Sequence, residues 1–280
     1  MHIAPFENDN KPLIDVDNSI VPLTYFNIVK LGRGQAFSYQ TPGYETCVVP
    51  ATGTVDVSVE GENYSAIGQR TEDVWDGEPE GVYIPSGAKT EFICTSEVAE
   101  VFVAGAKYDK VLDPFAVRTN DIDMVQYGSD DTKTHRKIKH ILGTKYNDKV
   151  GRLLVSELFT VGAGGWSGFP SHKHDMERLP DETLHNEIYN FRFKPDHGFG
   201  MQLLQPDGDT VGNAFHLIDG STFAFSSGYH PCVAAPGYEM YYFTILGGMS
   251  QRSLIQSFQP EHAYQVETIP GIKDMIAKFK

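Results

Sequence analysis

The sequence predicts an all-β protein, a pair of jelly-roll barrels in one chain. Three observations predict it: short strand-like runs recur along most of the chain, helical periodicity is confined to one end, and the two halves echo each other faintly. Val55, Val57 and Val59 alternate with Asp56, Ser58 and Glu60. Successive side chains of an extended strand face opposite sides, so this is a half-buried strand. Gly61 turns the chain and a return strand starts at residues 64–67. Residues 82–87 and 91–95 keep the same rhythm. The pattern weakens over residues 107–131, where Asp, Asn and Gly are frequent, and strands resume at 153–160. They recur at 187–193, 200–204, 214–218 and 240–246, and only residues 272–280 read as a short amphipathic helix.

The internal echo lays Gly87 on Gly228 and Glu45 on Glu187. Two similar units of antiparallel strands account for both the length and the repeat. The expected division is a first barrel over 1–110, a connection over 111–134 and a second barrel over 135–280. The first copy has Lys89 where the second has His230, and has no His-x-His, so it is expected to hold no metal.

Bulk properties narrow the function classes. The chain has 280 residues, 40% of them hydrophobic and 12% aromatic, enough for a sizeable core. Lys and Arg total 23 against 37 Asp and Glu, a formal charge of −14, which argues against nucleic acid or an anionic membrane as partner. An anionic ligand would need a local cation to offset that field. The first ten residues lack the basic start and apolar run of a signal peptide. Cys47, Cys94 and Cys232 are scattered and odd in number, as in a reducing compartment, so a cytoplasmic location is expected.

The chemistry is concentrated in His172, His174 and His230. On an extended strand, residues i and i+2 share a face, so His172 and His174 point together. A third imidazole and a carboxylate would complete a site for a first-row metal. The carboxylate lies among Glu177, Glu182 and Glu187: proximity to the His pair favours Glu177, whereas Glu187 opens a clear strand. His135, His140, His185, His197, His216 and His262 have no such arrangement and read as ordinary structural or surface residues. A closed structural zinc site is the competing reading of the trio.

These residues resemble the cupins, whose motifs are His-x-His with a Glu and a Gly-rich turn followed by His. More narrowly, residues 164–175 with Gly168, Pro170, His172 and His174, then Glu187-Ile188-Tyr189, His197-Gly198, Gly228-Tyr229-His230-Pro231 and Tyr241-Tyr242, resemble the 5-deoxy-glucuronate isomerases of inositol breakdown. Related enzymes are the 4-deoxy-uronate ketol-isomerases of pectin breakdown. Where that family commonly has Asn after the second Tyr, this chain has Phe243-Thr244. The resemblance places the ligand just before Ile-Tyr, and so selects Glu187, with 176–186 an insertion between strands. It implies one divalent ion (zinc, manganese, iron or nickel), a small-molecule uronate substrate and an aldose–ketose isomerisation through an enediolate. The proton-shuttling base is open among Glu187, Asp175 and a metal-held hydroxide.

Strand parity sorts the remaining candidates. With Glu187 inward, Tyr189, Phe191 and Phe193 follow it, while Ile188 and Arg192 face away. Tyr189 and Gln202 are candidate substrate contacts and Tyr242 a candidate catalytic hydroxyl. Arg192 is a further candidate substrate contact, suited to a carboxylate by chemistry although its parity points it away. The alternatives are a metal-dependent cupin dioxygenase and a non-enzymatic sugar-binding cupin. The metal-free half is expected to act as scaffold and self-association surface, making a homo-oligomer.

Overall fold

The computed structural model describes residues 1–278. The alternating segment Val55–Val59 is a strand whose three valines are buried and whose Asp56 is exposed, as its sequence requires. It belongs to a four-stranded antiparallel sheet with Ala36–Tyr39, Thr90–Cys94 and Glu62–Ile67. Facing it is a five-stranded sheet ordered Phe115–Val117, Gly81–Ile84, Tyr44–Thr52, Val98–Lys107, Thr24–Gly32. Valines and Phe92 from both sheets fill the space between them, which makes the first barrel a packed core.

The second barrel repeats this plan. The strands Thr222–Phe225, His185–Lys194, Glu239–Gly248 and Leu153–Thr160 run in the same order as their counterparts. Opposite them lie Trp166–Ser167, Cys232–Ala234, Phe199–Leu204 and Asn213–Ile218. The short pair His172–Lys173 and Ser257–Phe258 stands beside the barrel mouth. The large sheets of the two barrels pack on each other, so Phe26, Phe102, Ile188, Tyr241 and Phe243 share one core. Strands in that seam are covered on both faces: Tyr44–Thr52 is buried along almost its whole length and Glu239–Gly248 nearly so. Double burial erases polar–apolar alternation, which is why the sequence signals Val98–Lys107 and Thr24–Gly32 so weakly.

Three expectations change. Residues 111–134, expected as a connection, contribute Phe115–Val117 to the first barrel and Asp123–Tyr127 to the second. Their Asp and Asn content masks edge strands that need pairing on one side only. The chain start crosses over as well: His2–Ile3 pairs with Thr222–Phe225 of the second barrel. The echo of Glu45 with Glu187 is out by one residue. Thr46 pairs with Ile84 and Gly105, as Glu187 pairs with Phe225 and Leu246, so Thr46 is the counterpart. A one-residue slip reverses the face. Glu45 accordingly points into the seam, where it accepts hydrogen bonds from the backbone N–H groups of Gly151, Arg152 and Leu153 and from the Tyr83 hydroxyl. Of the helix expected at 272–280, Ile272–Ala277 is formed, and residues 279 and 280 lie outside the described residues.

Candidate metal centre and active site

His172, His174 and His230 converge inside the second barrel, each offering a ring nitrogen within 4.8 Å of the others. The His-x-His segment is short extended chain paired to Ser257–Phe258, so both rings emerge on one side. His230 follows Gly228, whose φ of +90° suits a turn that a side chain would strain. Each ring is oriented through its Nδ1: that of His172 lies 3.0 Å from the Pro170 carbonyl, that of His174 3.0 Å from the His185 carbonyl, and that of His230 2.7 Å from the Gly228 carbonyl. A carbonyl only accepts, so each Nδ1 carries a proton and the three Nε2 atoms are the ones that face the shared space.

Glu187 closes the set from the neighbouring strand His185–Lys194. Its Oε2 is 3.0 Å from His174 Nε2 and 3.2 Å from His230 Nε2. Burial works against charge on Glu187, but the two histidines outweigh it and hold the carboxyl well below the usual range. Burial, together with His230 and His174, pushes His172 down to about 3, so its imidazole is neutral and able to act as a ligand. Burial also disfavours a charged His174, yet the Glu187 carboxylate outweighs it and raises that ring. Apart from its 3.2 Å approach to Glu187 Oε2, the buried His230 Nε2 has no partner among the described residues. Three imidazoles and a carboxylate facing one point could hold a cation between them, and this donor set suits a divalent first-row metal. Gln256 donates from its amide to His172 Nε2 at 2.9 Å, the contact such an ion would replace.

Glu182 and Glu177 are occupied elsewhere. Glu182 is fully buried against Lys173 Nζ at 3.1 Å and accepts from the backbone N–H of Asp175 and Met176. Glu177 accepts from the backbone of Leu184 and from the hydroxyl of Ser250. Asp175 does not face the reaction space as a free base. One oxygen takes Lys173 Nζ at 2.6 Å and the other takes the Gly228 N–H at 2.7 Å, which ties the His-x-His segment to the His230 turn.

Beside the ligands lies a narrow cavity of about 40 Å³, partly open to solvent. His172, Glu187, Tyr189, Tyr242, Thr244 and Arg136 line it, with Leu158, Leu246 and Leu254 among its apolar walls and Ile272 and Met275 of the C-terminal helix closing it. Tyr189 and Tyr242 pack at 4.3 Å between ring centroids, and the Tyr242 hydroxyl is 2.6 Å from Ser167 Oγ. Burial pushes both phenols well above their ordinary value, so they stay protonated. Thr244 Oγ1 is buried with no partner.

Two expected substrate contacts do not stand at the cavity. Arg192 points into the seam, 2.7 Å from Glu100 and over the ring of Phe102, as its parity on the strand dictates. Gln202 is fully buried and its amide N–H₂ donates to the carbonyls of His230 and Pro231, so it braces the His230 turn. Arg136, Ser167, Thr244 and Gln256 were missed. Only the shared parity of Thr244 with Tyr242 signalled any of them in the sequence.

The fold and site define a bicupin with a metal-type donor set in its second barrel. Residues 2–265 match the KduI/IolB family, and the chain belongs to that family and is an isomerase by class. It is 28% identical over 243 residues to a 5-deoxy-glucuronate isomerase of Geobacillus kaustophilus, covering 87% of this chain and 86% of that one. To the 5-deoxy-glucuronate isomerase of Bacillus subtilis strain 168 it is 27% identical over 263 residues, covering 93% and 94%. The crystal structure of an IolB-like protein from Salmonella typhimurium superposes with a TM-score of 0.79 at 24% identity, over 86% of this chain and 89% of that one. An oxalate decarboxylase from Lactobacillus farciminis shares the fold alone, with a TM-score of 0.62 at 8% identity over 96% and 90%. No helix among the described residues is long and apolar enough to cross a membrane.

Proposed function

We propose that this protein converts 5-deoxy-D-glucuronate to 5-dehydro-2-deoxy-D-gluconate, an aldose–ketose step of myo-inositol breakdown in the cytoplasm. The observation that carries the reading is the three-imidazole, one-carboxylate cluster on the wall of a cavity, in a chain whose relatives are named for that activity. His172, His174, His230 and Glu187 would hold the divalent ion. When bound, such an ion supplies Lewis-acid stabilisation of the oxyanion that develops at the sugar carbonyl.

The chain's own residues supply the rest. The isomerisation moves a proton between adjacent carbons and another between their oxygens. Asp175 is committed to Lys173 and the Gly228 amide, which leaves Glu187 as the carboxylate that takes the carbon-bound proton and returns it one carbon along. The protonated Tyr242 hydroxyl, oriented by Ser167, gives its proton to the aldehyde oxygen and regains one from the neighbouring hydroxyl as that oxygen becomes the ketone. Thr244 Oγ1 has a free donor and acceptor for a sugar hydroxyl. The leucine walls exclude water from the intermediate. The first barrel serves as scaffold and as the surface through which copies associate.

The test is incubation of metal-replete protein with 5-deoxy-D-glucuronate, following the new ketone by carbon NMR. A chelated sample and oxygen uptake are monitored alongside. Ketone formation that needs the metal and consumes no oxygen is expected. Absence of ketone, or metal-dependent oxygen consumption, would sink the isomerase reading.

A further inference from the structure

Buried cations in this protein are almost all paired with carboxylates. Arg70 is 2.6 Å from Glu157, Lys139 is 3.2 Å from Glu78, Lys173 is 2.6 Å from Asp175, and Arg192 is 2.7 Å from Glu100. Arg252 has no carboxylate at bonding distance, but its guanidinium is spent on the carbonyls of Leu142, Gly143 and Leu153 and on Asn147, away from the cavity. Arg136 differs. Its side chain is almost fully buried, it lines the cavity that holds His172 and Glu187, and among the described residues it pairs with no carboxylate.

The bonds that Arg136 does make leave it unfinished. Nε donates to the Thr134 carbonyl at 3.3 Å, one terminal nitrogen to Ser167 Oγ at 3.4 Å and the other to the Phe169 carbonyl at 2.6 Å. A guanidinium has five N–H groups, so each terminal nitrogen keeps one that these bonds do not use. The Tyr127 ring lies 4.5 Å from the guanidinium carbon and covers a face, fixing the plane of the fork. A buried charge without a counter-charge is unfavourable unless a ligand supplies one. In a chain of net charge −14, this is also the local cation that an anionic substrate requires.

We infer that Arg136 anchors the carboxylate of the sugar acid, and so selects uronates over neutral sugars. This rests on the isomerase reading of the site. The two free N–H groups match the two oxygens of a carboxylate, a geometry that lysine cannot reproduce. Ser167 ties the anchor to the reacting end, since its hydroxyl contacts both Arg136 and Tyr242. Sugar acid would therefore lie with its carboxylate at Arg136 and its carbonyl toward His172 and Glu187.

The experiment compares wild type, Arg136→Lys and Arg136→Gln on 5-deoxy-D-glucuronate and on 5-deoxy-D-glucose, which carries a hydroxymethyl group in place of the carboxylate. Calorimetric binding of D-glucuronate to the metal-replete protein is measured in parallel. Wild type should prefer the acid, and Arg136→Gln should lose about 100-fold in kcat/KM for the acid with a much smaller change for the neutral sugar. Arg136→Lys should fall between them, with D-glucuronate binding weakened in the same order. An equal loss on both sugars in folded Arg136→Gln would make the residue structural and overturn the inference. Should Arg136→Gln fail to fold by circular dichroism, Arg136→Lys decides: unchanged preference and unchanged D-glucuronate binding overturn it. A wild type that turns over neither sugar would defeat the isomerase reading instead, while D-glucuronate binding that depends on Arg136 would still stand for the anchor.

Discussion

Replacing Tyr242 by Phe removes one oxygen from the cavity wall and leaves the ring that packs on Tyr189 and Phe191. The lost contact is the 2.6 Å bond to Ser167 Oγ, buried on both sides. Ser167 keeps a longer contact with Arg136 at 3.4 Å, so its hydroxyl is not left wholly unpaired. The stability loss should then sit near the low end for a buried hydrogen bond, about 1 kcal/mol. Catalysis should suffer far more, because a positioned proton donor contributes about 100-fold or more to such a step. Metal content, measured by plasma mass spectrometry, should not change, since Tyr242 is not one of the ligands. Ser167→Ala provides the comparison: it removes the orienting partner but keeps the phenol, so it should lower kcat less than Tyr242→Phe. A Tyr242→Phe enzyme with kcat close to wild type and normal metal content would refute the assignment of Tyr242 as proton donor.

Three other outcomes are expected. Chelation, or His230→Ala, should abolish ketone formation, and reloading should restore the chelated wild type but not the variant; the thermal midpoint should rise on reloading, by an amount equivalent to about 2.7 kcal/mol at a metal concentration 100 times Kd. Arg192→Met should lower the thermal midpoint through loss of the seam pair with Glu100, while KM for the uronate stays at its wild-type value. A raised KM with unchanged stability would put Arg192 back at the substrate. Burial pushes His140 down to about 4 from an ordinary value near 6.5. Between those values the unfolded chain binds a proton that the native protein does not. Stability is therefore full above about pH 6.5 and is lost as pH falls toward 4, by up to about 3 kcal/mol. Urea unfolding at successive pH should show a shallower slope for His140→Gln, and identical slopes would exclude His140 as the source.

Much of the site was legible because strand parity is a strictly local rule. Knowing that Glu187 faces inward was enough to put Tyr189 on the cavity and to turn Arg192 away from it, as is observed. The His-x-His pair and the Gly-x-His turn were readable for the same reason: each sets its own side-chain direction within three residues. The choice of Glu187 over Glu177 and Glu182 needed the family resemblance as well, since spacing alone favoured the nearer acid.

What the amino-acid order settled by itself was the β class, the twofold plan and the three histidines as candidate metal donors, all of which follow from periodicity and short motifs. Tertiary structure alone decided that Arg136, from a strand distant in the chain, faces the cavity of Glu187 and Tyr242, that Ser167 bridges Arg136 and Tyr242, that Gln202 braces a turn, and that Asp175 is tied between Lys173 and a backbone amide. It also decided the one-residue register that turns Glu45 into the seam and Thr46 into the first barrel. The reason is physical. Direction along a strand is encoded by neighbours in the chain, whereas pairing register and the meeting of distant strands come from burying two sheets against each other, and no local pattern records which partner a side chain will find there.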